Sequence, residues 1–194
     1  MIWVGVQART QLIALNEVIE ISEVRVEDIV QEKAEQYAEE LGEKLGLDIN
    51  PIDTTEKAVR EADIVVTVTP RRSPLVMNEW VSEGVHINAI GADAPGKQEL
   101  DPKILKRSKV IVDDREQALH SGEINVPLSE GKLKEENIYA DIGEVVVGEK
   151  EGRTSDEEIT IFDSTGLAVQ DVATAWGVYQ KALDGGLGRE VDFL

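Results

Sequence analysis

The stretch that decides the fold is His86-Ile87-Asn88-Ala89-Ile90-Gly91-Ala92-Asp93-Ala94-Pro95-Gly96-Lys97-Gln98-Glu99-Leu100-Asp101. An apolar run over 85–90 breaks at Gly91, and Asp93, Pro95, Gly96 and Lys97 follow. In open α/β sheets the carboxyl ends of the strands line the binding edge, so Asp93 stands where a carboxylate can do chemistry. Gly, Asp and Pro are also ordinary turn residues. Taken alone, the stretch reads as a strand-to-loop turn, and the rest of the chain has to decide.

Working outward, the pattern alternates. Residues 64–68 are apolar on both faces, as in a strand of a parallel sheet covered twice. Shorter strands are predicted at 1–4, 24–26, 47–52, 110–112 and 159–162. Helices are predicted at 7–18, 30–45, 54–62, 78–83, 102–107, 115–120, 142–147 and 166–183. The helix over 30–45 is the clearest, with Val30, Ala34, Tyr37, Ala38, Leu41 and Leu45 on one stripe. A Glu40–Lys44 pair is expected on its charged face. Asp53-Thr54-Thr55-Glu56 has the spacing of a capping box with Asp53 as N-cap. Asp101 is the expected cap of 102–107, and Asp163, Ser164 and Thr165 stand before the last helix. Residues 121–136 read as largely irregular.

Strands alternating with helices give an α/β fold with a doubly wound, mostly parallel sheet. Each buried strand then ends in small or acidic residues on one edge: Gly5, Asp28, Thr69, Gly91 to Asp93, Asp113-Asp114 and Asp163 to Thr165. The 194 residues suffice for a real core, and the apolar content is an ordinary 41%. The net charge of −19 opposes binding to nucleic acid phosphates or to an anionic membrane. The absence of cysteine excludes disulfides, thiolate metal sites and a cysteine nucleophile. No apolar run is long enough to span a bilayer as a helix, and no signal peptide is legible. A cytoplasmic protein is the expectation.

These ends could carry the chemistry of a nucleotide site, although the pattern taken alone is a weak signal. A dinucleotide fold needs a glycine turn after its first strand, a pyrophosphate on the next helix N-terminus, and an acid about 20 residues on for the ribose. Gly5 precedes a predicted helix and Asp28 follows at a strand end. The glycine pattern is damaged, because Trp3 takes the place of its first glycine. Asp28 reads equally as a cap for the helix from Val30. Thr67 and Thr69 offer hydroxyls to a cofactor, although threonine also simply favours strands. His86, inside a strand, reads as a satisfied core histidine, and His120 with Glu123 lacks a third metal ligand.

Three stretches carry a resemblance beyond pattern: Ile87 to Leu100; Val112-Asp113-Asp114 with Gly122-Glu123-Ile124-Asn125; and Ile161 to Asp171. They closely resemble the ornithine cyclodeaminase/mu-crystallin family, in particular its archaeal alanine dehydrogenase members, and Gly5 to Leu12 resembles that family's glycine loop. The resemblance implies a Rossmann-type NAD(H) domain over 1–165. Residues 166–194 would then form a C-terminal helix and tail that pack toward a substrate domain. It implies that Val6, Gln7 and Ala8 approach the pyrophosphate and that Asp28 holds the adenosine ribose. Thr67 and Thr69 would line the cofactor channel, and Asn88, Ala89, Ile90 and Gly91 would pass beneath the nicotinamide. Lys97 and Ser164 would complete the pocket, and Asp93 would be the acid/base residue. No metal is implied.

The implied reaction is NAD-dependent oxidative deamination of L-alanine to pyruvate and ammonia. The alternatives are ornithine cyclodeamination to proline and ammonia, or a non-catalytic mu-crystallin-like binding module or gene fragment. The family's substrate domain precedes the glycine loop, supplies substrate-binding lysine and arginines, and forms the dimer interface. This sequence starts at the loop, so the expectations are an N-terminal truncation, an incomplete first strand, and little or no turnover alone. The implied partners are a small amino acid or 2-oxo acid, and either a second copy or a separate substrate-domain chain.

Overall fold

The computed structural model describes residues 1–189 and 191; Glu190 and residues 192–194 of the predicted tail lie outside the described residues. Helix α1 is Val6–Val18, followed by β1 (Val24–Val26), α2 (Gln31–Leu45), β2 (Ile49–Pro51), α3 (Thr55–Val59) and β3 (Ile64–Thr67). Then come β4 (Arg72–Val76), a 3₁₀ turn at Asn78–Trp80, β5 (His86–Ala89), β6 (Gln98–Leu100), α4 (Pro102–Lys106) and β7 (Lys109–Val112). The chain ends with α5 (Arg115–His120), α6 (Asn125–Ser129), a 3₁₀ turn at Glu135–Asn137, β8 (Ile138–Asp141), α7 (Ile142–Val146), β9 (Thr160–Asp163) and α8 (Ala168–Asp184).

Five strands form one sheet in the order β3-β5-β9-β7-β8, and β1 pairs with β2 beside it. These pairs are all parallel, as the two-sided apolar runs predict. Ile2 joins the two parts, bridging to Glu27 on one side and Thr67 on the other. Trp3 N–H donates to Glu27 O at 2.8 Å, and Ile2 N–H donates to Val66 O at 2.9 Å. The first strand is therefore present only as a stub, and the sheet is continuous through it.

Two cores follow from this arrangement. One, with Leu12, Val24, Val26, Ala34, Tyr37 and Leu41, lies between α1, α2 and β1. The other, with Val65, Ile87, Leu100, Ile104, Val110 and Ile161, fills the rest of the molecule. The Tyr37 hydroxyl donates to Ala8 O at 3.0 Å and pins α2 to the first turns of α1. Aliphatic side chains supply nearly all of the buried surface, as the shortage of aromatics requires.

Several local expectations are corrected. Thr54, not Asp53, caps α3, its hydroxyl accepting Lys57 N–H; Asp53 instead pairs with Lys57 at 2.9 Å. Glu40 pairs with Arg9 at 2.6 Å rather than with Lys44, because α1 lies against that face of α2. Within 78–83 only a 3₁₀ turn forms, at Asn78–Trp80, whereas α6 falls on the apolar 124–128 stretch of the otherwise irregular 121–136 segment. Asp163, Ser164 and Thr165 do not cap α8, whose N-cap is Leu167 with no side-chain bond. Strands β4, β6 and β8 have no counterpart among the elements predicted from the sequence. The first two pair with each other in a separate parallel ribbon. The Ile142–Val146 segment is helical, as read, despite its β-branched residues.

Candidate functional site

The carboxyl ends of β1, β3, β5 and β9 and the N-terminus of α1 share one edge of the sheet. Gly5 is extended and α1 starts at once, with no side-chain cap and no acid in its first turn. Val6 and Gln7 are exposed there and Ala8 is buried. This leaves first-turn N–H groups and the positive end of the helix dipole facing outward. Asp28, at the end of β1, is 7% exposed. One of its oxygens accepts Val4 N–H at 3.2 Å and the other accepts Val30 N–H at 2.9 Å. Asp28 thus steadies the entry to α2, as the capping reading expects, and closes the Gly5 loop.

Trp3 stands in the first glycine's place with φ of +74°, a left-handed conformation that suits glycine. Its indole lies 3.5 Å from where a Cβ on Gly5 would sit. Arg25 is turned elsewhere: its guanidinium donates to Lys57 O and Arg60 O, both at 2.8 Å, on the last turn of α3. That keeps a cation away from the Asp28 carboxylate.

Next along the edge, Thr67 is fully buried and its hydroxyl has no hydrogen-bond partner. Thr69 N–H donates to Glu99 Oε1 at 2.6 Å, and Gly91 N–H donates to Glu99 Oε2 at 2.9 Å. Asn88 and Ala89 lie in β5, and Ile90 N–H returns to Thr67 O at 2.9 Å. Asp93 is exposed and its carboxylate is ion-paired with Lys97. The turn between them is held by Asn125, which accepts Gly96 N–H at 3.0 Å and donates to Lys97 O at 3.0 Å. Ser164 N–H donates to Ala89 O at 3.0 Å, and its hydroxyl donates to Asp113 at 3.2 Å. The structure therefore brings Val6, Gln7, Ala8, Asp28, Thr67, Thr69, Gly91, Asp93, Lys97 and Ser164 to the strand ends and loops of this edge, with Asn88 and Ala89 in β5 leading to it.

His86 sits at the opposite end of β5, bonded to Thr160 and Asn88, and burial pushes its pKa down. His120 bonds to Glu116 O. Among the described residues no group of three or more His, Cys, Asp or Glu is arranged to hold a metal.

The sequence reading missed a buried carboxyl chain behind the edge. Glu99, Glu123 and Asp163 are each fully buried. Glu123 accepts Glu99 N–H at 2.9 Å and Leu100 N–H at 2.9 Å, and Asp163 accepts Glu123 N–H at 2.8 Å. Burial pushes Glu123 well above the usual carboxylate range, and it lifts Asp163 to about 8. Asp113 completes the base of the edge by accepting Thr165 N–H at 2.8 Å and Gly166 N–H at 2.7 Å. No apolar run surrounds Glu99 or Glu123, each with a single apolar neighbour, Leu100 or Ile124, so the sequence carries no local signal of their burial.

Comparison with known proteins agrees with this geometry. The chain is 54% identical over 192 residues to an alanine dehydrogenase of Archaeoglobus fulgidus, a match that covers 97% of this chain and 58% of that protein. Its structure superposes on an archaeal alanine dehydrogenase dimer with bound NAD at a TM-score of 0.92 and 52% identity, covering 100% of this chain and 59% of the other. It superposes on the Δ1-pyrroline-2-carboxylate reductase of Thermococcus litoralis, solved with NADH and L-proline, at a TM-score of 0.93 and 41% identity. That match covers 98% of this chain and 59% of the reductase. The chain thus spans a little under three fifths of the length of these relatives. The model of the ornithine cyclodeaminase/mu-crystallin family matches residues 1–186, and the chain belongs to that family.

Proposed function

We propose that this chain is the NAD(H)-binding portion of an amino-acid dehydrogenase that deaminates L-alanine to pyruvate and ammonia. The observation that carries this reading is the shared sheet edge, where the uncapped N-terminus of α1, the Asp28 carboxylate and the loops after β3 and β5 stand side by side. These residues fit the cofactor. Val6, Gln7 and Ala8 offer N–H groups to a pyrophosphate. Asp28 offers lone pairs to ribose hydroxyls and repels a 2′-phosphate. The partnerless Thr67 hydroxyl is a buried polar atom that a ligand would satisfy. Thr69, Asn88, Ala89, Ile90, Gly91, Lys97 and Ser164 complete the pocket.

When bound, the nicotinamide supplies the hydride acceptor for the substrate Cα. Asp93 would take the proton of the substrate amine, release it to solvent, and then take that of the attacking water. Its exposed carboxylate and its Lys97 partner suit that exchange. The remaining two fifths of the relatives' length is the proposed source of the residues that bind the substrate carboxylate. The apolar face of α8, with Val169, Val172, Trp176 and Tyr179 exposed, is the proposed surface toward it. The chain alone is accordingly expected to bind cofactor and to show little or no turnover of alanine.

Titration of the purified chain with NADH, followed by nucleotide fluorescence and by the thermal midpoint, tests the reading. Saturable binding with a rise in the midpoint is expected. A well-folded chain that ignores NADH overturns it. The likeness to a Δ1-pyrroline-2-carboxylate reductase supports a cyclic imine as the second substrate reading. Comparing pyruvate plus ammonia with Δ1-pyrroline-2-carboxylate as NADH oxidants, in the full-length enzyme, separates the two.

A further inference from the structure

Glu99 lies in β6, outside the main sheet, yet its side chain reaches two loops of that sheet. Thr69 follows β3 and Gly91 follows β5, and these are neighbouring strands. Each loop gives Glu99 one N–H, at 2.6 and 2.9 Å. The packing is close: a Cβ on Gly91 would lie 2.3 Å from Thr69 O and 2.5 Å from Glu99 Oε2. No Lys, Arg or His pairs with this carboxylate among the described residues. Both carboxyl oxygens act as acceptors, one for each loop. Glu123 in turn holds the backbone of Glu99 and Leu100, and Asp163 holds that of Glu123. The grip is thereby fixed from β9 outward.

We infer that Glu99 is a positioning residue for the nicotinamide end of the cofactor: by holding Thr69 and Gly91 on its two oxygens, it sets the separation of the two loops that form the floor of that site. The inference rests on the cofactor reading proposed above. Asp93 lies two residues beyond Gly91, so the same grip fixes where the proposed acid/base carboxylate starts. Misplacement of a reacting group by about 1 Å can cost on the order of 10²-fold in rate. The adenosine end is held by other parts, the α1 N-terminus and Asp28, which Glu99 does not touch.

The test compares NADH with ADP-ribose, which keeps the adenosine and pyrophosphate but lacks the nicotinamide. Both are titrated by calorimetry into the wild-type chain and into Glu99→Gln, whose amide can accept only one of the two N–H bonds. The expected result is an affinity for ADP-ribose within about twofold of wild type and a loss of at least about tenfold for NADH. Equal losses for both ligands would show a purely structural role and overturn the inference, as would unchanged NADH binding. A wild-type chain that binds neither ligand overturns the cofactor reading, and this inference with it, before any variant is examined. Should Glu99→Gln fail to fold, amide hydrogen exchange in the wild type decides. The Thr69 and Gly91 amides are expected to exchange far more slowly than those of Asp93 and Ala94, and exchange at equal rates would overturn the grip.

Discussion

Asp28 holds Val4 across the sheet edge: its carboxylate accepts the Val4 N–H at 3.2 Å from the far side of α1 in the chain. The same side chain is the proposed ribose ligand, so its loss should act twice. Asp28→Ala is expected to cost about 1–3 kcal/mol of stability, because two backbone N–H groups lose their acceptor. NADH binding is expected to fall more than about tenfold. Chemical denaturation and NADH fluorescence titration check the two effects separately.

Trp3 carries a left-handed backbone that disfavours side chains by about 1–2 kcal/mol. Its indole also stands over Gly5, where a pyrophosphate would approach. Trp3→Gly should therefore leave stability unchanged or slightly raised, since relief of strain offsets the added freedom of the unfolded glycine. NADH affinity should rise several-fold. A fall in affinity would mean that the indole contacts the cofactor favourably instead of obstructing it.

Asp163 gives a pH prediction. Burial lifts its carboxyl to about 8, and the neighbouring Asp113 and Glu99 charges add to the rise. The folded state keeps this proton to about pH 8, whereas the unfolded chain releases it near the ordinary aspartate value of 3.8. Between those values the folded state binds more protons, so the contribution to stability is complete at low pH and is lost as pH climbs through about 8. Asp163→Asn removes this term while its amide oxygen still accepts Glu123 N–H. The variant should match wild type near pH 4 and exceed it at pH 9, with a higher thermal midpoint and a stability greater by on the order of a few kcal/mol. Midpoints measured across that range for both proteins check this.

Much of the edge was legible because it depends on local pattern. Residues 64–68 and 85–90 are apolar on both faces, and the residues that stop them are the ones that line the site. Asp28 and Gly5 were readable from their spacing alone. Glu99 was not, because what makes a buried carboxylate acceptable there is a pair of N–H groups from Thr69 and Gly91, neither of which is its neighbour in sequence. Strand β6 was hidden for the same reason, since Gln98-Glu99-Leu100 lacks the apolar content of a strand. In β4, Pro74 argues against a strand, and only the separate two-stranded ribbon tolerates it. The cap of α3 slipped by one residue because Asp53 and Thr54 are both good caps, and Lys57 draws Asp53 to the surface.

Among the described residues, Ile2 is the single residue of ladder shared by the two parts of the sheet. Each part has its own apolar core, and few other ties cross between them, Arg25 on the last turn of α3 being one. Cooperative melting needs the halves of a protein to lose more by parting than they gain in freedom. Here the α1–α2–β1–β2 half is coupled to the rest through a narrow seam. Calorimetry should accordingly give an unfolding enthalpy larger than the van't Hoff value, the mark of two units melting in sequence. A nucleotide seated on the edge would touch both halves and make them melt as one.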